Sequence, residues 1–346
     1  MTTTIKKIAE VANVTPYTVS VALRGRNGVS EKTRQRIEKI AQQLDYVPNF
    51  TARSLVLGKT GLVGILSAGT NNDLSVFSSQ MLIEAIERKL FDKGYQAIMG
   101  LTYGLAKYEY ECVQLFRARR VDAVILLSGG EKVDNIKTYN SFPCPLINVE
   151  HRFEGIECDR IRVDRSYGMF EATTYLLELG HRKIAFFGCD HDDLCSCERL
   201  IGYQKAFKEK GVECDPSMLL KIPVNTINME NIYKITLDIL KTIKPTAIIN
   251  TNDFGCISIL KAVQDFGLEI PKDISVIGHD DMPFSAYINP ALTTIRQPYA
   301  QLAAAIVEKV DKRVKNEEAE QSFENISMRA KLIIRNSTGS CKEFAK

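Results

Sequence analysis

Apolar positions recur at helical spacing along the first part of the chain. Ile5, Ile8, Ala9 and Ala12 form one short stripe, and Val14, Val19, Ala22 and Leu23 form a second after a break. Asn13 falls at the break, where a tight turn needs a positive φ that Asn tolerates better than most residues other than Gly. Ala9 supplies the small side chain that two steeply crossing helices need, and Val19 closes the core between them. Thr15 followed by Pro16 is a helix start: a hydroxyl N-cap, then Pro where its missing N–H costs nothing. The pattern predicts a helix-turn-helix with its second helix placed to enter a major groove. An ordinary helical hairpin in a larger core would show the same stripes.

Ser30 and Glu31 start a third helix running to about Leu44, with Ile37, Ile40, Ala41 and Leu44 as its buried stripe. Arg34, Arg36 and Lys39 then face solvent or phosphate. Between Pro48 and the Gly58 stop, Asn49 onward reads as a helix too short to be stable alone. Ala52, Ser54 and Leu55 share one face of it, for which a mere linker has little use. From Gly61 the texture alternates. Leu62–Leu66, Ala97–Gly100, Ala123–Leu127 and Leu146–Val149 read as buried parallel strands, with helices at Gln80–Lys93 and Glu109–Arg119. A second series follows. Its helices are Tyr167–Leu179, Leu200–Lys210, Asn231–Lys241 and Phe254–Phe266; its strands are Lys183–Gly188, Leu219–Pro223, Thr246–Asn250 and Ser275–Gly278. Tyr299–Lys315 is a further helix and Lys331–Arg335 a last strand.

The expected fold class is an all-α helix-turn-helix head on an α/β core of two doubly wound parallel sheets facing a cleft, as in periplasmic binding proteins. The expected divisions are 1–47 for the head, 48–60 for a hinge helix, 61–340 for the core and 341–346 for a tail. Within the core, 61–161 and 294–325 make the first lobe, and 162–293 and 326–340 the second.

Charge sharpens this picture. Residues 1–60 hold ten basic and four acidic side chains, a net +6, while the whole chain is +3, leaving −3 on the rest. A basic head on a slightly acidic body is the asymmetry of a nucleic-acid binder. No apolar run reaches the ~20 residues of a membrane span. The N-terminus MTTTIKK lacks an apolar signal region, and nine cysteines, an odd number, suit a reducing compartment. A cytoplasmic protein is expected, with no membrane partner.

Thr18-Val19-Ser20, Val29-Ser30, Thr33-Arg34, Leu44-Asp45-Tyr46, Pro48-Asn49 and Ala52-Arg53-Ser54-Leu55 stand in an order and spacing that resembles the DNA-binding head of the lactose-repressor/galactose-repressor (LacI/GalR) family of bacterial transcription regulators. The resemblance continues through Leu179 to Ala185, Asn252-Asp253, Ser275 to Asp281 and Pro290 to Pro298. It implies a repressor that binds double-stranded operator DNA as a homodimer at the nucleoid, without a cofactor. Operator affinity would be set by a small polar effector, sugar-like or nucleobase-like, between the lobes. No leucine heptad closes the chain, so a dimer rather than a tetramer is expected.

By this resemblance Pro16, Tyr17 and Val21 face base edges, Val21 offering apolar contact to thymine methyls. Thr15, Thr18, Ser20 and Arg24 lie nearer the backbone, and Thr4, Ser30, Thr33, Tyr46, Asn49 and Ala52 complete the DNA-facing set. Leu55 becomes a minor-groove wedge on a hinge that orders on operator against its dimer mate. Arg24 and Val21 stand where many members carry a base-reading Arg or Asn, so no operator is inferred.

Ligands of open α/β sheets sit beyond the carboxyl ends of the strands. Arg199 opening a helix, Asn252 after one strand and Asp280 after another fall there, and together suit vicinal hydroxyls. Each alone would serve equally as a helix cap or surface residue. The resemblance aligns them with effector contacts and adds Gln297 and Glu150, the latter where the family often has Asp. The loop Ser67 to Phe77 departs from the family's Asn-Pro-Phe-Phe-like run. Cys189, His191, Asp192, Asp193, Cys195 and Cys197 cluster after a strand and could hold a soft metal or sense oxidation. Zinc sites show wider Cys-x2-Cys spacing with a second ligand pair, so an effector-facing loop is expected and no metal site. A solute-binding protein would have the lobes without the head. An enzyme would need a nucleophile elbow or Gly-rich phosphate loop, and neither is present.

Overall fold

The computed structural model describes residues 4–23, 28–46, 58–68, 76–127, 139–150, 155–189, 194–222, 227–316 and 322–341. The chain divides into two compact units, Met1–Thr60 and Gly61–Lys346.

The first unit holds α1 (Ile5–Ala12), α2 (Pro16–Leu23) and α3 (Glu31–Gln43). Thr4 caps α1 by accepting the Lys7 N–H at 3.3 Å, and Ser30 caps α3 by accepting that of Thr33 at 3.3 Å. Asn13 takes φ 46°, letting the Val14 N–H reach the Ala9 carbonyl at 3.0 Å and turning the chain toward α2. Ile8, Ala9, Ala12, Val19, Ala22, Ile37 and Ala41 form the core, with Leu44 and Tyr46 packed on it. Arg36 is exposed as expected, and its Nη2 also donates to the Ala12 carbonyl at 2.9 Å, tying α3 to an orphan carbonyl at the end of α1.

The second unit opens with β1 (Leu62–Ser67), α4 (Val76–Asp92), β2 (Gln96–Leu101), α5 (Ala106–Arg119), β3 (Ala123–Leu126), β4 (Leu146–Val149) and β5 (Asp159–Asp164). Then come α6 (Arg165–Glu178), β6 (Ile184–Cys189), α7 (Leu194–Glu209), β7 (Leu219–Ile222), α8 (Met229–Thr242), β8 (Ala247–Asn250), α9 (Asp253–Asp265), β9 (Ser275–Asp280) and β10 (Thr293–Arg296). It ends with α10 (Tyr299–Val314), β11 (Asn325–Arg329) and β12 (Lys331–Ile333). The first sheet runs β11-β5-β4-β3-β1-β2, all parallel. The second runs β12-β10-β9-β8-β6-β7, parallel except where β12 meets β10. Central strands such as AVIL, LINV and AIIN are buried throughout, as helices on both faces require. Helices α6 and α7 approach so closely that a Cβ at Gly202 would lie 2.1 Å from the Ser166 carbonyl oxygen.

The expected division of the lobes shifts by a few residues. The chain leaves the first sheet after Asp164, leaves the second after Arg296, and passes from β11 to β12 at Ala330. Strands β5 and β11 were not expected, and α7 starts at Leu194 rather than Leu200. Among the described residues, no helix is long and apolar enough to cross a membrane.

Candidate nucleic-acid interface and effector cleft

In the first unit the second helix shows one exposed end. Thr15, Pro16 and Tyr17 are exposed, Tyr17 at 75 %, and Thr18 and Ser20 are half-buried. The Thr15 hydroxyl accepts the Thr18 N–H at 3.1 Å and lies 2.9 Å from the Thr18 hydroxyl. Thr4, Thr15 and Ser30 therefore stand at three helix starts, where free N–H groups and the helix dipole favour an anion such as phosphate. Thr33 is half-buried beside Ser30, and Tyr46 rests on the core. Val21 does not fit the expected place at base edges. It is 7 % exposed, and a Cβ on Gly28 would stand 4.0 Å from its Cγ1, so the stretch before α3 covers it, outside the core of the head. Arg24, Asn49, Ala52 and Leu55, with the rest of the expected hinge up to residue 57, lie outside the described residues.

In the second unit, β9 is buried along its whole length and delivers Asp280 at its carboxyl end. Asp280 takes φ 108° and Asp281 φ 55°, conformations that cost side-chain-bearing residues about 1–3 kcal/mol each. Asp253 holds the turn in place. Its Oδ2 accepts from the Met282 N–H at 2.8 Å and the Ser285 hydroxyl at 2.6 Å, and its Oδ1 from the Thr294 hydroxyl at 2.6 Å. Only Gly fits opposite, because a Cβ at 278 would lie 2.1 Å from Asp253 Oδ1. Burial pushes the Asp253 carboxyl up to about 7, with Ser285, Thr294 and Met282 pulling against it and the Asp280 charge adding to it. Arg335 Nη2, 2.6 Å from Asp281 Oδ1, and Arg296 anchor the second strained residue.

A polar group assembles around Asp280. Its Oδ1 lies 3.0 Å from His279 Nδ1 and accepts the Tyr299 hydroxyl at 3.3 Å. Gln297 Nε2 lies 3.0 Å from His279 Nε2. Tyr299 also hydrogen-bonds Ser78 of α4, so this group links the two lobes. Burial, with the Arg199 charge adding to it, holds the His279 ring below its ordinary pKa. Burial and the Asp280 charge push Tyr299 well above its own.

Two carboxylates nearby are already paired. Glu150, at φ 71° after β4, bonds Arg165, and Glu198 on α7 bonds Arg162 on β5. Arg199 lies in the second turn of α7 rather than opening a helix, and its Nε is buried without a hydrogen-bond partner among the described residues. Asn252 caps α9, its Oδ1 accepting the Gly255 N–H at 2.6 Å. Its amide nitrogen takes no partner among the described residues and is left to donate.

Of the expected effector residues, the structure thus brings Asp280 and Gln297 into one hydrogen-bonded group. Arg199 reaches it through charge on His279, Glu150 through charge on Tyr299, and Asn252 through its neighbour Asp253. His279, Tyr299 and Asp253 were not singled out from the sequence; only His279's place in a strand-ending polar run hinted at them. The expected Cys-rich loop is partly helical: Cys195 and Cys197 lie on the first turn of α7, Cys197 exposed, while residues 190–193 fall outside the described residues. Among the described residues, no cluster of His, Cys, Asp or Glu could hold a metal ion.

Residues 4–49 match the family described as bacterial regulatory proteins, lacI family, and residues 173–338 match the periplasmic binding protein-like domain. The chain is 29 % identical over 341 residues to the ribose operon repressor of Haemophilus influenzae, covering 98 % of this chain and 99 % of that one. It is 28 % identical over 324 residues to the HTH-type transcriptional repressor PurR of Vibrio atlanticus, covering 92 % and 94 %. Its fold is similar to that of the lac repressor dimer bound to operator and the anti-inducer ONPF, with a TM-score of 0.81, 22 % identity, and 98 % and 100 % covered.

Proposed function

We propose that the chain is a member of the lacI family of bacterial regulatory proteins, that residues 4–46 read operator DNA and that the cleft at Asp280 takes the effector. The protein is a DNA-binding transcription regulator, a repressor, whose operator affinity is set by a small polar molecule bound between two lobes. The observation that carries the effector site is Asp280 itself. A buried strand ends in two strained residues held by a dedicated clamp, and one carboxylate oxygen is left without a partner among the described residues. Such strain persists where function needs a group aimed in one direction. Among the described residues, with Arg165 and Arg162 taken up by Glu150 and Glu198, Arg199 and Asp280 are a cation and an anion left at the cleft. That pairing suits a neutral ligand with several hydroxyl or N–H groups, sugar-like or nucleobase-like.

The protein works as a homodimer on two-fold DNA sites. One face of the first lobe supports this. Met99 and Leu101 on edge strand β2, Tyr103 and Leu105 after it, and Tyr108 on α5 are all exposed. An apolar sheet edge of this kind is covered in natural proteins, and a second copy of the chain covers it here. Members of the family regulate transcription rather than catalyse a reaction, and the protein acts in the cytoplasm at the nucleoid.

The test compares the full chain with a chain starting at Gly61 for binding to palindromic sites selected from a random library. The full chain binds specifically and loses affinity steeply as salt rises, while the shortened chain does not bind. Equal binding by both would remove the head from the reading. A thermal-shift screen against sugars, nucleosides and purines then identifies the effector, because a ligand bound only by the folded protein raises its melting temperature.

A further inference from the structure

We infer that Asp122 is a positioning residue for DNA binding: its carboxylate fastens Gly61, where the chain enters the core, so that the connection to the head leaves the first lobe from a fixed point. This rests on the reading of residues 4–46 as the operator reader. Gly61 takes φ 71°, a left-handed conformation open to glycine without strain. Space does not select the glycine, since the nearest atom to a Cβ there would be the Gly94 carbonyl oxygen at 3.8 Å. Both of its backbone groups are held. Its N–H donates to Asp122 Oδ2 at 2.7 Å, and its carbonyl accepts the Gln96 N–H at 2.8 Å. Asp122 grips the next residue as well, its own N–H donating to the Leu62 carbonyl at 2.7 Å.

These contacts join the starts of three neighbouring strands, because β1 lies between β3 and β2. The two bonds between backbone groups extend the sheet ladders and would form with any residue at 122. The bond from the Gly61 N–H goes to a side chain, and it alone depends on an acceptor standing there. Asp122 is half-buried, and a carboxylate makes that bond charge-assisted. A glycine released at its N–H can take φ of either sign and absorb a shift of the first lobe instead of passing it on. Held at both groups, it moves with the sheet. Two heads reach one palindrome in turn, and the second engages at an effective concentration set by the freedom of its connection. A residue that is ordered only on DNA weakens that step about tenfold.

The test sets the full chain against a selected palindromic duplex and against one half-site, and follows amide exchange at Gly61 by NMR without DNA. Asp122→Ala should weaken binding to the palindrome about tenfold and leave the half-site affinity unchanged. Asp122→Asn keeps an accepting oxygen and should stay within about threefold of the unaltered chain. The Gly61 amide should be protected in the unaltered chain and in Asp122→Asn, and exchange about tenfold faster or more in Asp122→Ala. A lowered melting temperature with an unchanged palindrome affinity would make Asp122 a strand-end cap alone and overturn the inference. An equal loss on the half-site, or an Asp122→Asn protein as weak as Asp122→Ala, would overturn it too. If the unaltered chain shows no preference for the palindrome over the half-site, the two-headed reading fails. Exchange then still decides on the fastening, which is overturned if Gly61 exchanges as fast in the unaltered chain as in Asp122→Ala.

Discussion

Asp253 carries the turn after β9, and its own titration exposes that role. A carboxyl raised to about 7 by burial takes up its proton more readily in the folded chain than in the unfolded one. The stability it contributes is complete below its ordinary pKa near 4 and is lost as pH rises through about 7. Asp253→Asn keeps the shape and removes the titration. The stability of the unaltered protein relative to this variant should therefore fall by up to roughly 4 kcal/mol between pH 4 and pH 8, a three-unit shift being worth about that much. Urea midpoints of the core at several pH values measure it; a gap independent of pH would place the Asp253 proton elsewhere. At Asp280 the consequence is binding rather than stability. Asp280→Ala removes the acceptor facing the ligand and should weaken the identified effector by ~1–3 kcal/mol in calorimetry. An unchanged affinity in both Asp280→Ala and Arg199→Ala would move the site away from β9.

The elements divide according to how they are buried. Helix α2 and its inward face were both legible, the start from Thr15 and Pro16 and the face from Val19, Ala22 and Leu23, which lie in or on the core of the head; the place of Val21 was not, because the helix is apolar nearly all round. The structure separates them: Tyr17 stands out and Val21 is covered, though outside the core of the head. Tyr17→Ala should then weaken specific DNA binding without lowering the melting temperature of the head. Val21→Ala should destabilise the head by roughly 1 kcal/mol, the loss of apolar surface that is covered but lies outside the core. The reverse pattern would put Val21 back at the bases. Central strands could be read because burial on both faces leaves continuous apolar runs. Strand β5, Asp-Arg-Ile-Arg-Val-Asp, alternates buried and half-buried positions, and β11 is an edge strand alternating exposed with half-buried ones, so neither shows such a run. The start of α7 was hidden because Leu-Cys-Ser-Cys shows no apolar stripe, although Asp193 just before it is of a residue type that caps helices. Asp280, Arg199, Asn252 and Gln297 could be found at strand ends or by resemblance. The partners that fix Asp280 could not, since Asp253 and Tyr299 reach it only through the folded turn.

At the scale of the whole molecule, a ligand can shift DNA affinity only by favouring one arrangement of the lobes. The lobes are joined by three chain crossings, by the Arg162–Glu198 pair and by the Ser78–Tyr299–Asp280 connection, so the proposed effector site lies on the joint itself. In the proposed homodimer that joint becomes a signal, because two heads reach one two-fold site only if the first lobes are held together. The proposed means is the face at β2 and α5. Leu101 is 41 % exposed on an edge strand, and Tyr103 packs edge-on against Tyr108 with ring centroids 5.8 Å apart, giving a preformed apolar surface. Leu101→Glu places a charge where a partner copy would desolvate it, and the partner's copy of the same charge lies across a two-fold interface. The variant should sediment as a monomer at micromolar concentration and keep the melting behaviour of its core, since the side chain is not buried within its own lobe. Its affinity for a palindromic site should fall to that of a half-site, with a shallower salt dependence because one head neutralises fewer phosphates than two. A Leu101→Glu protein that remains dimeric and binds the full site unchanged would show that the two copies meet through another face.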